Sequence, residues 1–478
     1  MTDQEHYTTA PEDKIPFFSK VIYGFGAMVN NLLAAAIGGM VIVLNLGLGM
    51  NPALVGLVSA LPRLTDAITD PLMGYISDKT KSKWGRRRPY IFAGAIAAGI
   101  LYALLWQLPA EQSESYYFWY FLIGSLVFYL AYTMFATPWV ALGYELTPDY
   151  HERTRLMGVQ NFMGYIVYMI APWFLWFMQN DNWFDSMAEG AGWLAMIIGA
   201  FTICVGILPA IFLKERHQSI PTEKTENDTE DFTPGIKGFF SGFGETIKCK
   251  PFLYLCCATF LVFNGFMIVS AFQFYAIIYY VFGGDTSQGS EYAGYAGTLM
   301  AFSTLFVIIL VSKLATIYGK RKAFFFTTGM SMVGYGLKWF CYDPDTPWLL
   351  FIPMPFIAFG LGGLFTLMGS MIADVCDYDE LKTHQRREGM FGSIYWWVVK
   401  LGQAAALAAG GFLLNATGFD VALEGDQTEL TLSLIRLFDG VIPFVFSGIA
   451  ILLVMAYPLT EARSREIRME LEARRGKG

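Results

Sequence analysis

Long apolar runs broken by short polar turns set the pattern of this chain. Stretches apolar enough to cross a membrane lie near 19–46, 53–77, 89–108, 117–145, 155–179 and 192–213. They resume near 252–282, 293–317, 322–341, 347–373, 390–415 and 431–458. A spanning helix needs about 20 mostly apolar residues, so the pattern predicts an all-α membrane protein of twelve transmembrane helices. The long polar interior segment at 214–250, with its acidic run at 223–231, divides them six and six. The expected organisation is an N-terminal six-helix bundle over 1–213, a middle loop over 214–251 and a C-terminal six-helix bundle over 252–478. The charged spacing of 460–478 suits a solvated surface helix.

Composition agrees. The chain is 55% hydrophobic and 15% charged, against about a quarter charged in an average soluble domain. A formal charge of −7 gives no basis for a nucleic-acid partner. The six cysteines are scattered and the four histidines fall in polar segments, so no zinc site or disulfide framework is expected. The polar first 16 residues show no cleavable signal pattern.

Lysine and arginine predict the orientation. The connections 47–52, 109–116, 180–192, 284–292, 342–347 and 416–430 contain neither residue. The alternate connections carry Lys79, Lys81, Lys83, Arg86, Arg87 and Arg88, then Arg153 and Arg155, then Lys320, Arg321 and Lys322, then Lys382, Arg386 and Arg387. Both termini and the middle loop are therefore expected in the cytoplasm, with the protein in the cell membrane.

Within the second run, Asp66 and Asp70 stand four residues apart, on one face of a helix. An intramembrane carboxylate costs several kcal/mol unless it is neutralised, paired or holding a cation, so it marks a functional site by default. Two readings compete: a cation or proton site, or a structural knot closed by Arg63 on nearly the same face. Two aspartates with one arginine leave a negative charge over, which favours the cation or proton site.

The loop after the second run reads Gly74-x-x-x-Asp78, then Gly85-Arg86-Arg87-Arg88, and Gly319-Lys320-Arg321-Lys322 echoes it in the second half. This resembles the signature loop of the major facilitator superfamily. Three further stretches resemble the glycoside–pentoside–hexuronide:cation symporter family within it. They are Tyr23-Gly24-Phe25-Gly26-Ala27; Arg63-x-x-Asp66-Ala67-x-x-Asp70-Pro71-x-x-Gly74; and Asp374-x-x-Asp377-Tyr378-x-Glu380-Leu381, followed by Arg386-Arg387-Glu388-Gly389 and Val399-Lys400. Shorter echoes are Tyr132-Thr133 with Pro138, Glu152-Arg153 and Lys250-Pro251-Phe252.

The resemblance implies a cation site from Asp66, Thr69, Asp70 and Thr133, taking Na+ or H+. Oxygen ligands suit a hard cation, whereas a proton needs only one carboxylate. Galactoside-binding members grip the sugar with two aspartates, an arginine and an aromatic ring. The matching positions here are Asn31, Ala136, Asn161 and Val140, so that grip is absent. Asn30, Asn31, Gln160 and Asn161 remain as amides able to donate and accept. Trp139, Tyr395, Trp396 and Trp397 could stack on a sugar face, although with 17% aromatics core or lipid-facing packing is the favoured reading for any one of them. Lys400 matches the family's lysine in the eleventh span; it could counter the Asp66 and Asp70 charges or reach an anionic solute, with snorkelling the weaker reading, and with Arg63 it is placed in the candidate solute set. Arg436 and Asp439 read as a local pair, and Lys338 as a lysine snorkelling outward.

Three charge clusters are expected to close the inner face between the bundles: Asp78 with Arg86, Arg87 and Arg88; Glu145 with Arg153 and Arg155; and Asp374 with Arg386 and Arg387. No G-x-x-x-x-G-K-[ST] loop is present, so an ion gradient must supply the energy. No His–Asp or Cys–His set points to an enzyme. The expected function is symport of a glycoside-like solute, a di- or oligosaccharide or a uronide, by a monomer without a cofactor. The alternative cargo is a lysolipid-like amphiphile, since a relative of this family carries lysolipids with sodium.

Overall fold

The computed structural model describes residues 13–109, 111–147, 150–215, 246, 248–383 and 388–474. Those residues form helices and their connections, with no strand among them. The chain divides into two compact units, Met1–Thr222 and Glu223–Gly478.

The first unit contains α1 (Phe17–Met40) with its short continuation α2 (Ile42–Leu46), α3 (Pro52–Lys79), α4 (Arg88–Leu105) and α5 (Glu114–Glu145). It continues through α6 (Tyr150–Ile170), α7 (Phe174–Met178), α8 (Met187–Gly206) and α9 (Leu208–Phe212). Helix α4 packs on α5 and α8, α1 on α6, and α3 on α5. Glycine makes the α4–α8 contact close: a Cβ on Gly99 would lie 2.6 Å from the Gly199 carbonyl oxygen. Tyr102, Trp106, Phe121, Phe128, Phe135 and Trp139 fill the interior.

The second unit contains α10 (Lys250–Tyr275), α11 (Thr286–Tyr318), α12 (Lys320–Cys341), α13 (Pro353–Thr383), α14 (Glu388–Ala416), α15 (Glu429–Met455) and α16 (Glu461–Arg474). Helix α15 packs on α10 and α12, α13 on α11 and α12, and α14 on α10. Helix α16 lies on α13 and buries Ile467 and Leu471.

Side-chain caps start several helices. Asn51 accepts the Ala53 N–H at 2.9 Å, with Pro52 in the first turn. Ser113, Ser186, Asp285 and Thr428 each accept the N–H three residues on. The glycines that open the basic turns have positive φ, 109° at Gly85 and 82° at Gly319, a backbone that glycine adopts without steric cost.

Ten helical segments among the described residues are long and apolar enough to cross a membrane. Of the twelve expected, α3 and α12 fall outside that set. They have 28 and 22 residues, ample to span, and pack within the same bundles. Their charges, among them Arg63 and Asp70 in α3 and Lys338 in α12, lower their apolarity. The chain is thus a multi-pass, all-helical membrane protein with two helices that carry charge in place of continuous hydrocarbon.

Candidate functional site

Helices α3 and α5 bring a carboxylate and three hydroxyls together. Thr133 and Thr137, one turn apart on α5, donate to the same Asp70 oxygen, Oδ1, at 3.2 and 3.4 Å. Thr69 Oγ1 lies 3.5 Å from Thr133 Oγ1 and donates to the Thr65 carbonyl at 3.1 Å. Asp70, Thr69 and Thr137 are half-buried and Thr133 is buried. The Asp66 side chain lies outside the described residues. Three of the four positions assigned to the cation site therefore converge. Thr137 completes the set, and its signal was the hydroxyl one helical turn beyond Thr133. A carboxylate and hydroxyls are oxygen groups of the kind a hard cation takes: rotating a hydroxyl would turn its hydrogen away from Asp70 and present a lone pair to a cation there.

Arg63, two turns before Asp70 on α3, is 7% exposed, and its guanidinium stands 4.8 Å from the centre of the Tyr129 ring. On α1, Asn30 and Asn31 form a small amide network. Asn30 Nδ2 donates to Asn31 Oδ1 at 3.3 Å, and Tyr132 of α5 donates to Asn30 Oδ1 at 2.9 Å. Tyr132 entered the sequence reading only as part of a motif, yet it orients the Asn30 amide. Asn31 leans toward α6, where a Cβ on Gly164 would come within 2.5 Å of its Nδ2. Asn161, one turn earlier on α6, is exposed, and Gln160 and Ala136 are half-buried.

The aromatic candidates separate by burial. Trp139 is 2% exposed, stacks on Tyr23 at 5.1 Å and donates its Nε1–H to the Tyr23 carbonyl. It is a core residue and offers no sugar platform. Tyr395 is likewise buried. Trp396 is 56% exposed and stacks on Phe365 at 6.1 Å, which fixes its ring while leaving a face open. Lys400 follows one turn later on α14 and is half-buried, so the two share a helical face.

The basic turns have partners within their own units. Glu145 takes Arg86 and Arg87, the latter at 2.7 Å, where Arg155 had been expected. Arg155 instead pairs with Glu152 at 3.0 Å. Arg88 donates to the Ala210 and Ile211 carbonyls at the end of α9. Glu215 accepts the backbone N–H groups of Arg86, Arg87 and Arg88 at 2.9, 2.8 and 3.1 Å, capping α4. No local spacing signalled that role. Asp374 takes Lys320 at 2.7 Å. The Asp78 and Arg153 side chains, and Arg386 and Arg387, lie outside the described residues.

Glu152 also holds Lys20 at 2.6 Å and the Ile15 N–H at 3.1 Å. Burial alone would push its carboxyl up. The hydrogen bonds from Lys20, Ile15 and Arg155 outweigh burial and hold it below the usual carboxylate range.

Two expectations are overturned in the second unit. Lys338 does not snorkel: it is 2% exposed and pairs with Asp439 at 2.9 Å, itself 1% exposed. Asp439 therefore pairs across helices and not with Arg436. Arg436 donates to the Trp339 carbonyl at 2.7 Å and lies 3.8 Å from the Tyr280 ring centre. Three residues of helix separate the two side chains by enough rotation to send each to a different neighbour.

The sequence profile of a family described as MFS/sugar transport protein matches residues 22–461. An uncharacterized symporter of Synechocystis is 26% identical, covering 97% of this chain and 98% of its own. A protein of Escherichia coli named glucuronide carrier protein homolog is 21% identical over 95% of each chain. Among solved structures, a D-xylose–proton symporter is similar in fold with a TM-score of 0.64 at 14% identity, covering 94% of this chain and 99% of its own.

Proposed function

The chain belongs to the MFS/sugar transport protein family, and on that premise we propose that it is a symporter coupling uptake of a glycoside to Na+ by alternating access. Membership makes it a transporter and not an enzyme, with a small-molecule solute as its partner. The observation that carries the coupling is the meeting of Asp70 Oδ1 with Thr133 and Thr137, with Thr69 alongside. Several oxygens gathered in one place are more than a proton needs and suit a hard cation.

Amides at Asn30, Asn31 and Asn161 suit sugar hydroxyls. Trp396 and Lys400 on one face of α14 suit a sugar ring bearing a carboxylate, which favours a uronide over a neutral glycoside. The protein works as a monomer in the cell membrane, with its basic turns and both termini in the cytoplasm.

The test is uptake into proteoliposomes with Na+ and H+ gradients imposed separately. The solutes are matched neutral glycosides, uronides and a lysolipid. Uronide accumulation driven by Na+, and lost in Asp70→Asn, is the expected result. Accumulation driven only by H+ overturns the ion assignment. Accumulation of the lysolipid alone overturns the cargo.

A further inference from the structure

Lys338, Asp439 and Gln273 join three helices of the second unit at one level. Lys338 Nζ of α12 donates to both Asp439 oxygens of α15, at 3.0 and 2.9 Å, and to Gln273 Oε1 of α10 at 3.3 Å. The Tyr342 ring centre lies 5.5 Å from the same nitrogen. Both charges are almost completely buried. Such a pair is a poor way to gain stability, because desolvating two ions offsets most of their attraction and apolar residues of similar volume often do as well or better.

The backbone around the pair is irregular in two of the three helices. Helix α10 passes, three residues beyond Gln273, into the π-helical segment Ala276–Val281, where the Phe282 N–H reaches back to the Ile277 carbonyl. Helix α15 contains Pro443, one turn beyond Asp439. Proline has no N–H, so the Asp439 carbonyl loses its usual helical donor. Kinks concentrate at prolines and π-bulges. Both weakened segments therefore adjoin Lys338 of α12, α15 through the ion pair with Asp439 and α10 through the hydrogen bond to Gln273.

We infer that Lys338 and Asp439, with Gln273, are positioning residues. They form a fixed charge post that restrains the flexing of α10 beyond Gln273 and of α15 around Pro443, and their role is to limit motion there and not to raise stability. The chain needs such a restraint where proline and a π-turn have removed the helix's own. The inference does not depend on the cargo or the coupling ion.

The experiment uses the full chain in lipid nanodiscs, with thermal unfolding and amide hydrogen exchange as readouts. Two double variants are compared with the wild type: the apolar Lys338→Met/Asp439→Leu and the reversed Lys338→Asp/Asp439→Lys. The apolar variant is expected to unfold at or above the wild-type temperature. Its exchange over 273–284 and 436–447 is expected to rise roughly tenfold, and the reversed pair is expected to restore most of the protection. Wild-type exchange in the apolar variant overturns the inference, since the pair would then only fill space. Failure of the apolar variant to fold overturns it too, by making the pair a stabiliser. Equal loss of protection in both variants removes the electrostatic cause.

Discussion

Asp70 in the first unit and Asp439 in the second are both carboxylates within long bundle helices, and the groups seen to meet them differ. Asp439 is 1% exposed and meets a full counter-charge, Lys338, at 2.9 Å. Asp70 is half-buried and meets hydroxyls at 3.2 and 3.4 Å. Hydroxyls stabilise the carboxylate yet can reverse their polarity, because each oxygen both donates and accepts. On the proposed coupling, the hydroxyls around Asp70 would let it take up a cation, whereas the Lys338 pairing makes Asp439 structural.

Breaking the closed pair gives the largest effect on folding. Lys338→Met alone strands a buried carboxylate and is expected to cost about 3–5 kcal/mol, read as a sharp loss of folded protein by fluorescence-detected size exclusion. Adding Asp439→Leu is expected to recover it. A single variant as stable as wild type contradicts the closed-pair description.

The open site is tested by its hydroxyls. Thr137→Val keeps the shape and removes one oxygen, so the cation concentration for half-maximal uptake is expected to rise about tenfold, in line with a hydrogen bond to a charged group. Thr137→Ser is expected to stay near wild type. If valine and serine behave alike, the hydroxyl is not a ligand.

A smaller change is expected at Lys400. Lys400→Gln is predicted to weaken uronide uptake several-fold with unchanged cation dependence, compared against a matched neutral glycoside. Altered cation dependence with unchanged solute preference places Lys400 in the ion site instead.

The smallest effect concerns pH. The Glu152 carboxyl is held below its usual range by Lys20, Ile15 and Arg155. Its contribution to stability is therefore fully present above the unfolded carboxylate value of about 4.3 and is lost as pH falls through the lowered folded value. Hydrogen exchange near Ile15 should rise only on acidification through that window, and in Glu152→Gln the acid step should disappear.

Much of this was legible in the chain. Apolar runs gave the helices, glycine before a basic cluster marked the left-handed turns at Gly85 and Gly319, and the family-like spacing brought Asp70, Thr69 and Thr133 together. Hydropathy was less informative about α3 and α12, because charged residues such as Asp70 and Lys338 spoil an apolar run. The pairing of Lys338 with Asp439, 101 residues away, has no local trace. Position along a helix suggests depth, whereas burial depends on which face meets which neighbour. Glu215 was invisible for the same reason, since its partners are backbone groups that any sequence would supply. Trp139 took the packing role that an aromatic in so aromatic a chain is expected to take, in the core against Tyr23.

In the proposed coupling, Asp70 and its hydroxyls hold the cation. Equilibrium binding of radiolabelled sodium to the purified protein, with no solute present, tests it most directly. The wild type is predicted to show one saturable site per chain, and Asp70→Asn none, with both unfolding at the same temperature. Undiminished sodium binding by a folded Asp70→Asn protein would contradict the account.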